Sequence, residues 1–186
     1  VFNYASTNLF VLSYALQHYV AMREGPDVRY WDLVHENVLV PLGADDFTLL
    51  HTVEADGSAG LPLLAYGAWP TLDHAAKIAL LFAQEGNYQG RQLLHREKCR
   101  EALGRTDWPG YPTGNDYRGA HYRHAFWATD VKARGCRTEV TYMLGYGGNY
   151  VWFFPSGLIA IRFMDEYVLE FKELARGMEG VRSSCR

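Results

Sequence analysis

Apolar positions recur at helical spacing along the first half of the chain. Leu9, Leu12, Leu16, Tyr19 and Val20 mark a helix over Thr7 to Met22. Ser6 or Thr7 is placed to cap it, and Gly25-Pro26 ends it. A second helix is expected over Tyr30–Leu39, with Trp31, Val34 and Val38 on one face and Pro41-Leu42-Gly43 closing it. Residues 46–66 read as irregular, with short extended pieces and a turn at Asp56-Gly57. A third helix is well marked. Thr71 is its N-cap, Asp73 complements the helix N-terminus, and Leu72, Ala75, Ala76, Ala79, Leu80 and Ala83 follow before Gly86 stops it. Asn87-Tyr88-Gln89-Gly90 is a turn, and Glu97–Leu103 a short fourth helix. Residues 105–120, rich in Gly, Pro, Tyr and Asp, read as a long surface loop.

The texture then changes to aromatic and β-branched runs. His121–Ala128, Arg137–Met143, Asn149–Phe154 and Leu158–Phe163 are expected strands, the last two joined by a tight turn at Pro155-Ser156-Gly157. Glu166–Met178 is expected to be a covering helix, with Val168, Phe171, Leu174, Ala175 and Met178 available to one face. A helical block followed by an antiparallel meander implies an α+β fold, not an alternating parallel sheet. The expected organisation is one partial domain over 1–186: a mostly helical subdomain over 1–117, then sheet and C-terminal helix over 118–186.

Composition narrows the class. The 186 residues are 48% apolar and 21% charged, unlike a disordered chain. No heptad run and no apolar stretch of membrane-spanning length is present. Net charge is −3. Residues 1–93 carry four basic and ten acidic side chains, whereas 94–186 carry fourteen and eleven. The basic residues are scattered, so no nucleic-acid partner is expected. Cys99, Cys136 and Cys185 are widely spaced and read as buried or incidental thiols, not zinc ligands. The chain starts at Val1, without Met, directly on Phe2-Asn3-Tyr4-Ala5-Ser6, as if entered part-way through a domain.

Candidate chemistry is sparse. There is no Gly-x-Ser-x-Gly elbow, and Gly57-Ser58-Ala59-Gly60 reads as a turn. None of the four lysines has a serine three positions earlier; Thr129-Asp130-Val131-Lys132 is a chance likeness at a strand end. His121 and His124, three apart in a strand-like run, would point to opposite faces and suit no common metal ion. No metal or cofactor is expected. Two segments rise above this background. Phe2-Asn3-Tyr4-Ala5-Ser6-Thr7-Asn8 is a polar cluster just before a long apolar helix. A tyrosine held there, in a loop pinned by Ser6 and Asn8, can shuttle a proton beside a cation. Gly145-Tyr146-Gly147-Gly148-Asn149-Tyr150 leads three glycines into a strand, which admits close approach of a ligand. A strand edge there can offer N–H groups to an oxyanion. The structural alternatives are an N-cap with an aromatic staple and a bulge at a sheet corner.

Together, these segments resemble the C-terminal part of the serine β-lactamase-like hydrolases. That family includes class C β-lactamases, related esterases, D-aminopeptidases and carboxypeptidases, and 6-aminohexanoate-dimer hydrolases. Tyr4-Ala5-Ser6 looks like the family's Tyr-x-Asn or Tyr-x-Ser motif. Pro41-Leu42-Gly43-Ala44, Thr71-Leu72-Asp73-His74-Ala75-Ala76-Lys77 and Gln89-Gly90-Arg91-Gln92-Leu93-Leu94 are similar to further family segments. Gly145-Tyr146-Gly147-Gly148-Asn149-Tyr150 resembles the third-motif region. The matches run in order over nearly the whole chain. The resemblance implies a β-lactamase/transpeptidase-like fold and a serine hydrolase that cleaves a small amide or ester through an acyl-enzyme. Tyr4 would be the general acid/base and Ser6 a hydrogen-bond partner of the catalytic lysine. The backbone of Tyr146, Gly147 and Gly148 would help form the oxyanion hole, with Gly145 and Asn149 framing the substrate.

Three departures qualify the likeness. Ser-x-x-Lys is absent, so the nucleophile would lie upstream and the chain alone would be inactive, with the missing N-terminal segment as its partner. Ser6 stands for the commoner Asn. No Lys/His-Thr-Gly triplet precedes the glycines; the equivalent stretch is near Val140-Thr141-Tyr142. Its loss points away from an efficient β-lactamase and towards an esterase or amide hydrolase. The competing readings are a non-catalytic, penicillin-binding-like module for peptide or peptidoglycan, and a structural fragment with no site. Tyr117, Tyr122, Trp127 and Tyr146 are candidate cleft aromatics for an apolar acyl chain, or else core. The resemblance leaves bacterial periplasm and cytoplasm both open.

Overall fold

The computed structural model describes residues 2–114, 118–133, 136–165 and 171–183. The chain forms two compact units. Asn3–Ile78 make one; Phe2 and the described residues from Ala79 onward make the other.

In the first unit, α1 (Ser6–Glu24) begins one residue earlier than the pattern suggests. Ala5, extended at φ −143° and ψ 137°, holds the N-cap position, so neither Ser6 nor Thr7 caps the helix. Gln17 then fixes how the chain leaves α1. Its Nε2 donates to the Val28 carbonyl (2.9 Å), and its Oε1 accepts from the Tyr30 N–H (3.1 Å). The buried Tyr30 hydroxyl donates to the Pro62 carbonyl (2.9 Å). Burial pushes its phenol above the usual tyrosine value.

The second helix runs on past Leu39. It comprises α2 (Tyr30–Val34), a π-helical turn (His35–Leu39) and α3 (Val40–Leu42). Pro41 has no N–H and crowds the carbonyl four residues earlier, and the wide turn before it is where the ladder gives way. Gly43, left-handed at φ 64°, caps the end. Short pairs follow: β1 (Thr48–Leu49) with β4 (Ala68–Trp69), and β2 (His51–Val53) with β3 (Ala59–Pro62). The Asp56-Gly57 turn is closed by Asp56, which accepts from both the Ser58 N–H and hydroxyl.

Helix α4 (Leu72–Ala83) starts on a reciprocal cap. Thr71 Oγ1 accepts from the His74 N–H (3.2 Å), and His74 Nδ1 accepts from the Thr71 N–H (3.3 Å). Nε2 therefore carries the ring proton and donates to Asp46 (2.7 Å). One turn on, Lys77 Nζ bonds both Asp73 (2.7 Å) and the Gly43 carbonyl (2.6 Å).

In the second unit, β5 (Asn87–Tyr88) and β6 (Arg91–Gln92) form a hairpin, followed by α5 (Arg96–Ala102). Six antiparallel strands come next: β7 (Tyr111–Pro112), β8 (His121–Arg123), β9 (Phe126–Ala133), β10 (Cys136–Gly145), β11 (Asn149–Phe153) and β12 (Ile159–Arg162), in spatial order β12-β11-β10-β9-β8-β7. Helix α6 (Phe171–Val181) packs against β9. Residues 166–170, including Val168, lie outside the described residues. The single strand expected over His121–Ala128 is instead two strands. His124 (φ 43°) and Ala125 (φ 70°) turn left-handed between them. The expected surface loop contributes β7 to the sheet; Pro112 is tolerated because the strand lies at an edge.

Register assigns two faces. Phe126, Met143, Val151, Phe153, Ile159 and Ile161 pack with Ala79, Phe82, Ala102 and Leu103 of the helical side. The other face is aromatic: Tyr122 and Trp127 lie 4.8 Å apart, and Tyr150 stacks on Trp152 at 4.8 Å. Arg123 is buried on the first face. Its Nη2 donates to Glu139 (2.5 Å) and Thr141 (3.1 Å). Gly104 and Gly110, both at positive φ, make its slot; a Cβ at either would collide with the guanidinium or its stem. Among the cysteines, Cys99 is a free buried thiol, whereas Cys136 is disulfide-bonded and not an incidental thiol.

Two outcomes follow. Gly110→Ala should cost about 2–4 kcal/mol in urea unfolding, from a strained backbone plus overpacking. Gly90→Ala, at φ 83° with nothing within 4 Å, should cost only about 1 kcal/mol. Second, the hydrogen bond from Lys77 holds the Asp73 carboxyl below its ordinary 3.8. Its stabilising contribution is complete above that value and lost as pH falls through the lowered one. An NMR titration of the carboxyl carbon should show the low midpoint, and Lys77→Met should return it to the ordinary range.

Candidate active site

Asn8 holds the segment before α1 through two hydrogen bonds. Asn8 Nδ2 donates to the Asn3 carbonyl (3.3 Å), and the Asn8 N–H donates to the Ala5 carbonyl (3.0 Å). Asn8 therefore does the pinning expected of it. Tyr4 is half-buried and has an interaction partner, two residues before the helix begins. Ser6 is the first helical residue and exposed. Phe2 belongs to the sheet unit, its ring against Tyr122 (5.4 Å) and Trp127 (5.8 Å).

The glycine-rich segment is a hairpin end, not a lateral sheet edge. Gly145 closes β10 opposite Asn149 of β11, and both strands lie inside the sheet. Tyr146, Gly147 and Gly148 make the turn, with Gly147 at φ 77° and Gly148 at φ 82°. Only glycine enters that region without penalty twice in succession. Asn149 braces the turn from within: Nδ2 donates to the Tyr146 carbonyl (2.6 Å), and Oδ1 accepts from the Met164 N–H (2.8 Å). A Cβ on Gly147 would sit 3.1 Å from the Met164 carbonyl. Gly145, Tyr146, Gly147, Gly148 and Asn149 thus form one unit of structure. Tyr146 projects outward, 80% exposed.

Val140, Thr141 and Tyr142 are all buried in β10. Thr141 is engaged by Arg123, and the Tyr142 hydroxyl donates to the Arg118 carbonyl. That stretch presents no cation. Trp127 is core and Tyr122 is half-buried on the aromatic face; Tyr117 lies outside the described residues. His121 and His124 go to separate carboxylates, Glu139 (3.2 Å) and Glu101 (2.6 Å). Lys98, then His124, hold Glu101 below its ordinary range. Among the described residues, no group of three or more His, Cys, Asp or Glu is placed to hold a metal ion. No described helix is long and apolar enough to cross a membrane.

Two features were missed in the sequence. One is the His121–Glu139–Arg123 network, whose members lie on two strands and share no local motif. The other is a polar cleft of about 360 Å³ in the first unit, lined by Tyr14, Gln17, His18, Asp27, Arg29 and Glu54 among others. The cleft draws on side chains from α1, from the segment before α2 and from the β2–β3 region, a convergence that no local motif announces.

No protein-family model matches the sequence, and no curated protein matches it. Its fold is similar to that of a solved structure. That structure is described as a putative beta-lactamase from Bacteroides dorei DSM 17855, with a TM-score of 0.51 and 19% sequence identity. The likeness covers 79% of this chain and 50% of that one, so this chain spans about half the length of the relative. The likeness is one of fold alone; in this chain that fold is a mixed α+β architecture with a six-stranded antiparallel sheet.

Asn149→Ala removes both braces of the glycine turn. It should destabilise the protein by about 1–2 kcal/mol and speed hydrogen exchange at the Met164 amide, with exchange in β9 unchanged.

Proposed function

We propose that the chain is the C-terminal part of a serine hydrolase of the β-lactamase-like type, cleaving a small amide or ester through an acyl-enzyme. The observation that carries this reading is the fold likeness to a putative beta-lactamase, joined to family-like segments in the family's order. The nucleophile belongs to a Ser-x-x-Lys segment on further polypeptide. The serine hydroxyl attacks the substrate carbonyl carbon while the lysine and Tyr4 take up its proton. Tyr4 returns a proton to the leaving amine or alcohol as the tetrahedral species collapses, and water then hydrolyses the acyl-enzyme. Ser6 orients the lysine. Backbone N–H groups of Tyr146, Gly147 and Gly148 stabilise the oxyanion, with Gly145 and Asn149 framing the substrate. Two features support these roles: the polar pinning of the segment carrying Tyr4, and a turn whose glycines carry no side chain to block a ligand. The buried, uncharged Val140–Tyr142 stretch favours an esterase or amide hydrolase over a β-lactamase that grips a carboxylate.

The test is an activity-based serine probe on the polypeptide encoded by the parent reading frame. Labelling should occur, vanish when the Ser-x-x-Lys serine becomes alanine, and slow by roughly a hundredfold in Tyr4→Phe. A frame without Ser-x-x-Lys overturns the reading. Peptide binding without any labelling overturns it in favour of a binding module.

A further inference from the structure

The polar cleft of the first unit presents charges of both signs that the fold itself does not use. Its frame is held by side chains bonded to backbone. Both ends of the Gln17 amide are taken up, at Val28 and Tyr30, and Thr52 Oγ1 accepts from the Leu61 N–H (2.9 Å). Arg29, the residue before α2, reaches across to β3, where its Nη1 donates to the Ala59 carbonyl (3.3 Å). The Glu54 carboxylate folds back over the next residue of that strand. Gly60 is buried, and a Cβ there would collide with Glu54 Oε1 and Thr52 Oγ1. Arg29 and Glu54 therefore meet neighbouring residues of one strand, yet they form no ion pair with each other. Among the described residues, the Arg29 guanidinium has only that one hydrogen bond, and the carboxylates of Glu54 and Asp27 have no cationic partner. An unpaired charge is ordinary on a side chain that extends into water. Glu54 instead lies against its own hairpin, at a position that only glycine leaves open.

The geometry points to a binding site for a small zwitterion: a free amino acid, or a compound of that class, with an apolar side chain. Arg29 offers a planar fork of N–H donors that matches a carboxylate. Glu54 and Asp27 take the ammonium group on the other side. Tyr14 and Leu61, which also line the cleft, supply an apolar wall for the side chain. The volume of about 360 Å³ lies within the range of small-molecule sites, roughly 300–1,000 Å³. A polyanion is disfavoured, because it would lie against Glu54 and Asp27; a simple amine would leave the Arg29 fork idle. None of Tyr4, Ser6 and the glycine-turn residues lines the cleft, so the inference goes beyond the hydrolase reading and does not depend on it.

The test is a titration of the full-length protein, followed by the amide NMR shifts of Gly60 and Leu61. The probes are L-phenylalanine, its methyl ester, which keeps only the ammonium, and its N-acetyl derivative, which keeps only the carboxylate. L-phenylalanine should give saturable shifts with a Kd of about 1 mM or tighter. The ester and the N-acetyl derivative should each bind at least about fivefold more weakly. Arg29→Met should bring L-phenylalanine down to the affinity of the ester and leave the ester's own affinity unchanged. Arg29→Lys, which keeps the charge without the fork, should fall in between. Glu54→Gln should weaken L-phenylalanine and the ester alike and leave the N-acetyl derivative unchanged. Absence of saturable shifts overturns the proposal. So do equal affinities for the three probes, which the unsubstituted protein alone reveals, and so does binding that neither Arg29→Met nor Glu54→Gln alters.

Discussion

The pairing of β9 with β10 decides which side chains reach each face of the sheet. Trp127 sits opposite Tyr142, Ala128 opposite Thr141 and Val131 opposite Thr138. A slip of one residue would exchange the faces. Arg123 and Glu139 would then no longer meet on the side carrying Ala102 and Leu103, and the aromatic stack would turn into the aliphatic core. Both faces of the central strands are buried, which is why β11 reads as the continuous apolar run Tyr150-Val151-Trp152-Phe153 and not as an alternating one. The register is therefore fixed from two sides at once. The buried guanidinium adds to it, because an arginine without its carboxylate in that slot is costly by several kcal/mol.

That register also positions the glycine turn. Gly145 and Asn149 are the last pair of the β10–β11 ladder, so the turn stands wherever the ladder ends. Asn149 then ties the turn to the chain leaving β12 through Met164. The turn is set by strand pairing on one side and by a side-chain brace on the other, which gives it a defined shape without a large side chain in it. In the other unit a comparable economy operates at Lys77. One ammonium group joins the start of α4 to the end of α3, using a carboxylate and a cap carbonyl.

Much of this was legible because single residues carry strong local rules. Thr71 caps α4, Gly86 stops it, and Pro155-Ser156-Gly157 turns a hairpin, each by backbone chemistry visible in a few letters. The misses have equally local causes. The turn at His124-Ala125 uses left-handed backbone at residues that carry no turn signal, so tertiary pairing of β8 with β9 imposes it. Pro41 looks like a helix stop, yet the chain stays helical by widening the turn before it. Ser6 or Thr7 looks like the cap by residue type, yet both enter the helix, leaving Ala5 at the cap position. Tyr4 and the glycine turn could be picked out from residue type. The bracing role of Asn149 could not, because Met164 lies fifteen residues away across another strand.

The family-like segments divide by what explains them. Pro41-Leu42-Gly43-Ala44 and the Thr71–Lys77 helix start meet at the Lys77–Gly43 contact. Gln89–Leu94 closes a hairpin onto the end of α4, with Gln92 donating to the Glu85 and Leu94 carbonyls. Each is accounted for by folding alone, so these segments carry the likeness of fold and no more. Tyr4 is different. Its neighbours Asn3 and Asn8 hold the segment in place, but nothing in the capping of α1 requires an aromatic hydroxyl there. The glycine turn is intermediate: Gly147 and Gly148 are demanded by backbone geometry, whereas the 80% exposed Tyr146 just before them is not. The fold reading therefore rests on the segments that packing accounts for, and the proposed chemistry adds roles for the Tyr4 hydroxyl and for the backbone of Tyr146, Gly147 and Gly148.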